Sequence, residues 1–361
     1  MTDSLKRTPL SELHLRAKAR MVEFGGWEMP VQYKGIMAEH QAVRSSVGMF
    51  DVSHMGKFAI AGQNALNSLQ KLVPSNLARL KSGQAQYTVL LNPEGGIIDD
   101  VIFYCHGDDD WTMIVNASTI DKDREWIQAH LVGCELSDRS SSQTLIAVQG
   151  RAAITYLQGL VEADLAQVKR FGHIRTEVLG SPSFVARTGY TGEDGFELMT
   201  DIPTGQALWT KLVDLGVSPC GLGCRDTLRL EAAMHLYGQD LNDGISPLEA
   251  GLDWIVHLPE KEDFIGRAKL ESQLELGLSK QFVALEMQGK HIARHDYPIL
   301  FGDEVVGIIT SGTQSPTLGK AIALGYVPSH LAAIGQIVEV QIRNQSYPAQ
   351  IVKRPFYKAA K

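Results

Sequence analysis

The first feature of this 361-residue sequence that could do chemistry is a pair of carboxylates set into an apolar run. The run is Gly95-Gly96-Ile97-Ile98-Asp99-Asp100-Val101-Ile102-Phe103-Tyr104. A glycine pair predicts a tight hairpin turn, and the apolar residues after it predict a strand. Aspartate is a poor strand former, and two of them beside Ile and Val cost desolvation unless they serve something. Neighbouring side chains of a strand point to opposite faces. Ile97, Asp99, Val101 and Phe103 therefore share one face, and Ile98, Asp100, Ile102 and Tyr104 the other. At most one aspartate faces a given pocket, and Asp100 is the one with a tyrosine on its side. Taken alone, these ten residues fit better a pair that merely finishes a turn at the solvent edge.

The other chemically capable residues are single acids, one arginine and several aromatics near glycine-rich turns. Glu197 lies in Gly195-Phe196-Glu197-Leu198, where Phe196 and Leu198 take the opposite strand face. A carboxylate there is either solvated or held for a partner. Arg225 falls at a predicted helix start, where the macrodipole favours acids and an arginine needs another reason to be present. Tyr87, Tyr104 and Tyr190 are candidates to line a flat aromatic pocket, with core packing an equal account of each. His54, in Phe50-Asp51-Val52-Ser53-His54-Met55-Gly56, reads as a hydrogen-bonded core or loop histidine.

Familiar constellations are missing. The sequence has no phosphate loop, no dinucleotide fingerprint and no Gly-x-Ser-x-Gly elbow. Its eleven histidines never fall at metal-ligand spacing. Cys220-Gly221-Leu222-Gly223-Cys224 separates its thiols by three residues, not the two of a redox or zinc pair. No metal site and no Ser or Cys nucleophile are expected. The composition, 44% hydrophobic and 21% charged, is that of a globular protein of two or three domains. A net charge of −7, from 34 basic and 41 acidic residues, argues against a nucleic-acid partner but leaves room for a local arginine facing an anion. The four cysteines show no disulfide-framework spacing, the N-terminus lacks an apolar signal core, and no apolar run reaches membrane-spanning length. The expectation is a soluble, cytoplasmic protein with no membrane association.

The elements that must hold these residues follow from periodicity and punctuation. A helix is predicted from Ile36, with His40, Val43 and Val47 on one stripe, ending at Gly48. The Phe50–Gly56 stretch then leads into a strand from Lys57 to Ile60. A helix near Asn64–Leu72, strands near 85–91, 97–105 and 111–116, a helix over Asp121–Leu131 and a strand over Thr144–Val148 complete an antiparallel α+β unit. A similar order follows: a helix over Arg151–Leu160, strands near 174–179 and 183–188, the Gly189–Gly195 loop, a strand with Glu197 and a helix with Leu208, Leu212 and Leu215. Residues 260–280 read as a charged helical connection. Six strands, near 281–287, 297–301, 304–310, 320–326, 336–343 and 347–353, then predict an all-β sandwich or barrel.

Nine motifs in order along the chain resemble one family, the aminomethyltransferase or T protein of the glycine cleavage system. They are Arg7–Leu10, Phe24–Tyr33, Phe50–Met55, Gly95–Asp100, Ala147–Gly150, Gly189–Gly195, Gly221–Glu231, Leu236–Gly238, and Thr310–Thr313 with Ser315–Leu318. The resemblance implies an α+β fold of three domains around a central folate-binding channel, with a C-terminal barrel-like domain. The implied domains are 1–53 with 145–250, binding folate; 54–144 with 251–278, carrying the catalytic acid; and 279–361, the barrel. The implied reaction moves an aminomethyl group from the dihydrolipoyl arm of H protein to tetrahydrofolate. Its products are 5,10-methylenetetrahydrofolate, ammonia and the reduced arm. Asp100 matches the family's catalytic acid and Glu197 its pterin-binding carboxylate. Arg225 matches a substrate-binding arginine. Tyr87, Tyr104, Tyr190, Met55 and Asn116 match residues lining the folate pocket, with Trp254 a weaker match. Tetrahydrofolate is the implied co-substrate, lipoylated H protein the implied partner, and no metal or nucleotide cofactor is implied. The sequence departs from the family at Lys18 and Ala233, where glycine is usual, and at Cys224, where alanine is common.

Two other readings remain at this point. One is a tetrahydrofolate-dependent demethylase or one-carbon transferase acting on a small molecule. The other is a folate-binding protein without turnover.

Overall fold

The computed structural model describes residues 5–359, and the chain divides into two compact units. The first holds the residues up to Ser68, Leu77–Tyr87 and Val101–Asp226; the second holds Leu69–Asn76, Thr88–Asp100 and the chain from Thr227 onward. The division runs through two strands, Gln84–Leu91 and Ile97–Gly107, which pass from one unit into the other.

The first unit is built on a six-stranded sheet in the order His173–Val178, Ser181–Ala186, Gly195–Asp201, Gln143–Gln149, Gly48–Asp51, Ser218–Pro219. Its strands are antiparallel except the last pair. Alternation puts Ile146, Val148, Phe196 and Leu198 into one core, closed by the helix Ile202–Asp214 through Leu208, Trp209 and Leu212. That helix starts where expected of its sequence: the Asp201 carboxylate accepts from Thr204 N at 2.7 Å and Pro203 occupies the first turn. A second sheet orders Gln84–Leu91, Ile97–Gly107, Asp110–Val115, Gly56–Ala61 and Glu135–Asp138. A small sheet of Lys6–Arg7, Trp27–Gln32 and Arg20–Phe24 gathers the N-terminal segment.

Within the second unit, six antiparallel strands close into a barrel: Lys280–Met287, Ala321–Pro328, Glu304–Gln314, Pro298–Phe301, Ile337–Ile342 and Gln345–Val352. All six lie within three residues of the strands expected there, except that Glu304–Gln314 runs on past 310. Closure removes the exposed edges that an open sheet of this length would present. The turn before Asp99 is also in this unit. Gly95 has φ +75°, and a Cβ on Gly96 would lie 1.8 Å from the Asp243 carbonyl oxygen, so only glycine fits there.

Several expected elements are shorter or differently placed. Phe50 and Asp51 belong to a strand, Gly48–Asp51, rather than to the loop before one. A buried acid is tolerated at its end because Thr8 Oγ1 (2.6 Å), His14 Nε2 (2.8 Å) and Ser53 N (2.9 Å) all engage the carboxylate. The Arg151–Leu160 helix shrinks to Ala153–Leu157, since the chain turns back there with Leu160 N donating to the Leu157 carbonyl. The connection at 260–280 is helical only over Arg267–Leu276. Ahead of it Lys261 points inward, Nζ donating to the carbonyls of Val73 (2.5 Å) and Ser75 (2.8 Å), which holds residues 260–263 out of a helix. The N-terminal sheet was not anticipated, because its strands are short and partly polar.

Two of the three family departures prove to be conformational. Lys18 has φ +56° and Ala233 φ +53°, the left-handed region that suits glycine. Each sits one residue past a helix cap. Ala19 N reaches the His14 carbonyl and Lys18 N that of Leu15; Met234 N reaches Arg229 and Ala233 N reaches Leu230. Both are Schellman turns with a non-glycine residue at the left-handed position.

Candidate functional site

Glu197 is placed by the register of the six-stranded sheet. Its neighbours across the two adjacent strands are Ala147 and Ala186, so the carboxylate stands on a face cleared of large side chains while Phe196 and Leu198 fill the core behind it. It is partly exposed, and Thr188 Oγ1 donates to Oε2 at 2.5 Å. Tyr104 OH lies 3.1 Å from the same Thr188 oxygen, which gives a relay from Tyr104 through Thr188 to Glu197. Burial, then the Glu197 charge, pushes the Tyr104 phenol well above its usual range and keeps it a proton donor. The Tyr104 ring itself is core-packed, edge-on to Phe184 and His173, so its hydroxyl is the part that reaches the site.

The Gly189–Gly195 loop is pinned at several points. Arg187 grips Asp194 with two hydrogen bonds of 2.9 and 2.6 Å, and Arg44 Nη1 reaches the Thr191 carbonyl and Glu193 Oε1, both at 2.8 Å. Gln149 donates to the Thr188 carbonyl and accepts from Thr191 Oγ1. It packs so close to Gly189 that a Cβ there would meet its side-chain amide at 2.0 Å. This holds Tyr190, half-buried, with its ring 4.8 Å from the Arg225 guanidinium carbon.

Arg225 projects from the first turn of the helix Leu222–Glu231. The start of that helix is fixed by Glu39, whose Oε2 accepts from Gly221 N at 2.9 Å while Oε1 accepts from the backbone of Tyr33, Lys34 and Gly35. Burial lowers the pKa of Arg225, with Glu197 and Tyr190 acting the other way. The result is a cation whose charge interacts with the Glu197 carboxylate, with Nη1 buried and making no hydrogen bond among the described residues.

Met55 lies on the turn between Gly48–Asp51 and Gly56–Ala61. Buried Lys57 stiffens that turn, Nζ donating to the carbonyls of Ser53 and Met55, each at 2.8 Å. Burial brings the Lys57 ammonium down to about 8. His54, on the same turn, packs edge-on to Phe24 and Trp27. Burial, with Arg225 and Lys57 adding to it against Asp51, holds the imidazole neutral with a pKa of about 4. Asn116 follows the strand Asp110–Val115, half-buried, and Tyr87 lies half-buried on Gln84–Leu91. Thr188 and Lys57 were not singled out from the sequence. Thr188 precedes the glycine-rich loop by one residue, a position no chemical pattern marks.

Asp100 and Trp254 belong to the second unit. On the strand Ile97–Gly107 the face carrying Asp99 is wholly buried, with Ile97, Asp99, Val101 and Phe103 at most 1% exposed. Asp100 is partly exposed, on the face expected. Trp254, in a short 3-10 turn over Asp253–Ile255, is 55% exposed. Among the described residues one group has metal-ligating side chains close together, Glu39, Cys220 and Cys224, all buried. Its carboxylate is already taken up by four backbone N–H groups, and burial pushes the Cys224 thiol up, away from the thiolate a metal would need. No helix of the described chain is long and apolar enough to cross a membrane.

Comparison with known proteins finds similarity over nearly the whole chain. Residues 10–260 match the GCVT N-terminal domain, and residues 280–358 match the glycine cleavage T-protein C-terminal barrel domain. An aminomethyltransferase from Picosynechococcus sp. is 57% identical, covering 99% of each chain. One from Nostoc sp. is 56% identical, covering 99% of this chain and 97% of that one. The crystal structure of the glycine cleavage system aminomethyltransferase T from Bartonella henselae is similar with a TM-score of 0.94 and 32% identity, covering 99% of both chains. The chain belongs to the glycine cleavage T-protein family.

Proposed function

We propose that this aminomethyltransferase carries out its reaction with Glu197 and Arg225 binding the pterin of tetrahydrofolate and Asp100 orienting its reacting nitrogens. The aminomethyl carbon comes from the lipoyl arm of H protein. Its bonds to sulfur and to the amino nitrogen break, and bonds to N5 and N10 of the folate form. The two protons those nitrogens give up leave on the thiol and on ammonia, so no oxidant or reductant is required.

The observation that carries this reading is Glu197 itself. It is a carboxylate set between two alanines, held through one oxygen by Thr188, and it interacts electrostatically with the Arg225 cation. The edge of a pterin offers two adjacent N–H donors, which one carboxylate accepts together. The Asp100 role is one of positioning and electrostatics, with proton transfer an added role open to a partly exposed carboxylate. Lys57 holds Met55 and His54 in place before ligand arrives, which lowers the ordering cost of binding. Tyr87, Tyr190 and Asn116 complete the pocket lining in this reading, and Trp254 is a weaker candidate. No disulfide joins the four cysteines, which suits a reducing compartment such as the cytoplasm.

The test is formation of methylenetetrahydrofolate from tetrahydrofolate and aminomethylated H protein, against a control lacking H protein. Product only in the presence of H protein is expected. Turnover with a free small-molecule donor alone would move the assignment to a different one-carbon transferase. Tight folate binding without any product would leave a binding protein.

A further inference from the structure

We propose that Gln149 is a positioning residue of this site: its one buried amide sets both Glu197 and Tyr190, by holding the two ends of the segment from Thr188 to Thr191. This rests on the folate reading of Glu197 and Arg225.

Gln149 ends the strand Gln143–Gln149 and is fully buried. By alternation it shares a sheet face with Ala147, the cross-strand neighbour of Glu197, so its side chain and the Glu197 carboxylate project the same way. A buried amide brings both donors and an acceptor that must be paired. Gln149 spends its two ends on two residues of one loop. Nε2 donates to the Thr188 carbonyl at 3.0 Å, and Oε1 accepts from Thr191 Oγ1 at 2.8 Å. The direction is fixed, because a carbonyl can only accept. The loop wraps the amide closely. A Cβ on Gly189 would lie 2.0 Å from its oxygen, and one on Gly195 would lie 2.7 Å from its nitrogen. An apolar side chain of the same length would fill that space and leave both loop groups without this partner, so packing alone does not account for a glutamine here.

Each end leads in one step to a group of the proposed pterin site. Thr188, held by its carbonyl, turns its hydroxyl to Glu197 Oε2 at 2.5 Å. Tyr190 lies between the two anchored residues, with its ring 4.8 Å from the Arg225 guanidinium carbon. Tyr104 supports the Thr188 hydroxyl at 3.1 Å and Arg44 the Thr191 carbonyl at 2.8 Å, each at one end of the segment. Gln149 bridges the two ends. Setting the acceptor and the ring before ligand arrives lowers the ordering cost of binding. An amide that fixes where these groups stand, and takes no part in bond making, acts on KM and not on kcat.

The experiment measures steady-state kinetics with tetrahydrofolate and aminomethylated H protein. Gln149→Met keeps the length of the side chain and removes both hydrogen bonds. KM for tetrahydrofolate should rise about tenfold with kcat nearly unchanged. A purely structural role would lower stability and leave the KM of the folded enzyme as it was, which overturns the inference while the folate reading stands. A loss confined to kcat overturns it as well. Combining Gln149→Met with Thr188→Val tests whether Gln149 acts through its neighbours. The two losses should overlap, so that the double variant falls several-fold short of their product; the full product overturns the inference. Should Gln149→Met not fold, Thr191→Val removes one hydroxyl at the far end of the segment. It should raise KM about threefold with kcat unchanged, and an unchanged KM overturns the inference. Failure of the wild-type protein to bind tetrahydrofolate removes the folate reading and this inference together.

Discussion

Replacing Lys18 or Ala233 by glycine should stabilise the protein, each in its own unit. Both residues occupy the left-handed position of a Schellman turn, at φ +56° and +53°. A residue with a Cβ is strained there by about 1–2 kcal/mol. Glycine removes that strain but gives the unfolded chain more freedom, a loss of about 0.4–1 kcal/mol. The balance favours glycine by about 0.5–1 kcal/mol at each site. Lys18 is exposed and Ala233 partly buried, so neither change removes a large packed side chain. The assay is urea unfolding together with native-state hydrogen exchange. Amides of the first unit should gain protection in Lys18→Gly, and amides of the second in Ala233→Gly. Unchanged or lower stability in both variants would refute the reasoning, since it would mean that the left-handed backbone is not where the strain lies. Activity should not change, because neither residue contributes a group to the reaction.

Asp100→Asn should keep tetrahydrofolate binding and lose most turnover, read as a fall in kcat with little change in KM; equal activity would remove Asp100 from the mechanism. Asp99→Asn, at a wholly buried position, should act on stability more than on rate, and a larger catalytic loss than in Asp100→Asn would invert the face assignment. Thr188→Val breaks the link from Tyr104 to Glu197 and should raise KM for tetrahydrofolate about tenfold, ~1.5 kcal/mol, with kcat less affected; Thr188→Ser should restore it, whereas a loss in kcat alone would argue against a positioning role. Acid stability should depend on Asp51. Burial alone would raise its pKa, but hydrogen bonds from His14, Ser53 and Thr8 and the charge of His14 outweigh that and hold it at about 2. A depressed carboxylate contributes stability that is whole above the unfolded value near 3.8 and is lost as pH falls through 2, on the order of 2 kcal/mol. The stability difference between wild type and Asp51→Asn should shrink over that range, and a difference independent of pH would rule this out.

Much of the architecture was legible because the signals are local. Strand alternation and turn glycines mark the barrel strands to within a few residues over most of their length, and the same alternation puts Asp100 on the accessible face of its strand and Asp99 in the core. A side chain's face depends only on its position along one strand, and the cost of burying the wrong one enforces it. The family is also carried by the sequence, in nine motifs whose order spans the whole chain.

What the sequence could not show is which distant residues complete one another. Glu197 has room only because register sets Ala147 and Ala186 beside it, and it is held by Thr188, whose type alone marks nothing. Asp51 ends a buried strand because Thr8 and His14, about forty residues earlier, supply its hydrogen bonds. His54 reads as an ordinary core histidine until the structure shows its Nδ1 buried and making no hydrogen bond among the described residues. Lys18 and Ala233 look like harmless departures until their backbone angles are known. Propensity and alternation are properties of a few consecutive residues, so one chain segment determines them. Hydrogen-bond completion, desolvation and backbone strain depend on what the rest of the chain brings alongside, and only the tertiary structure decides that.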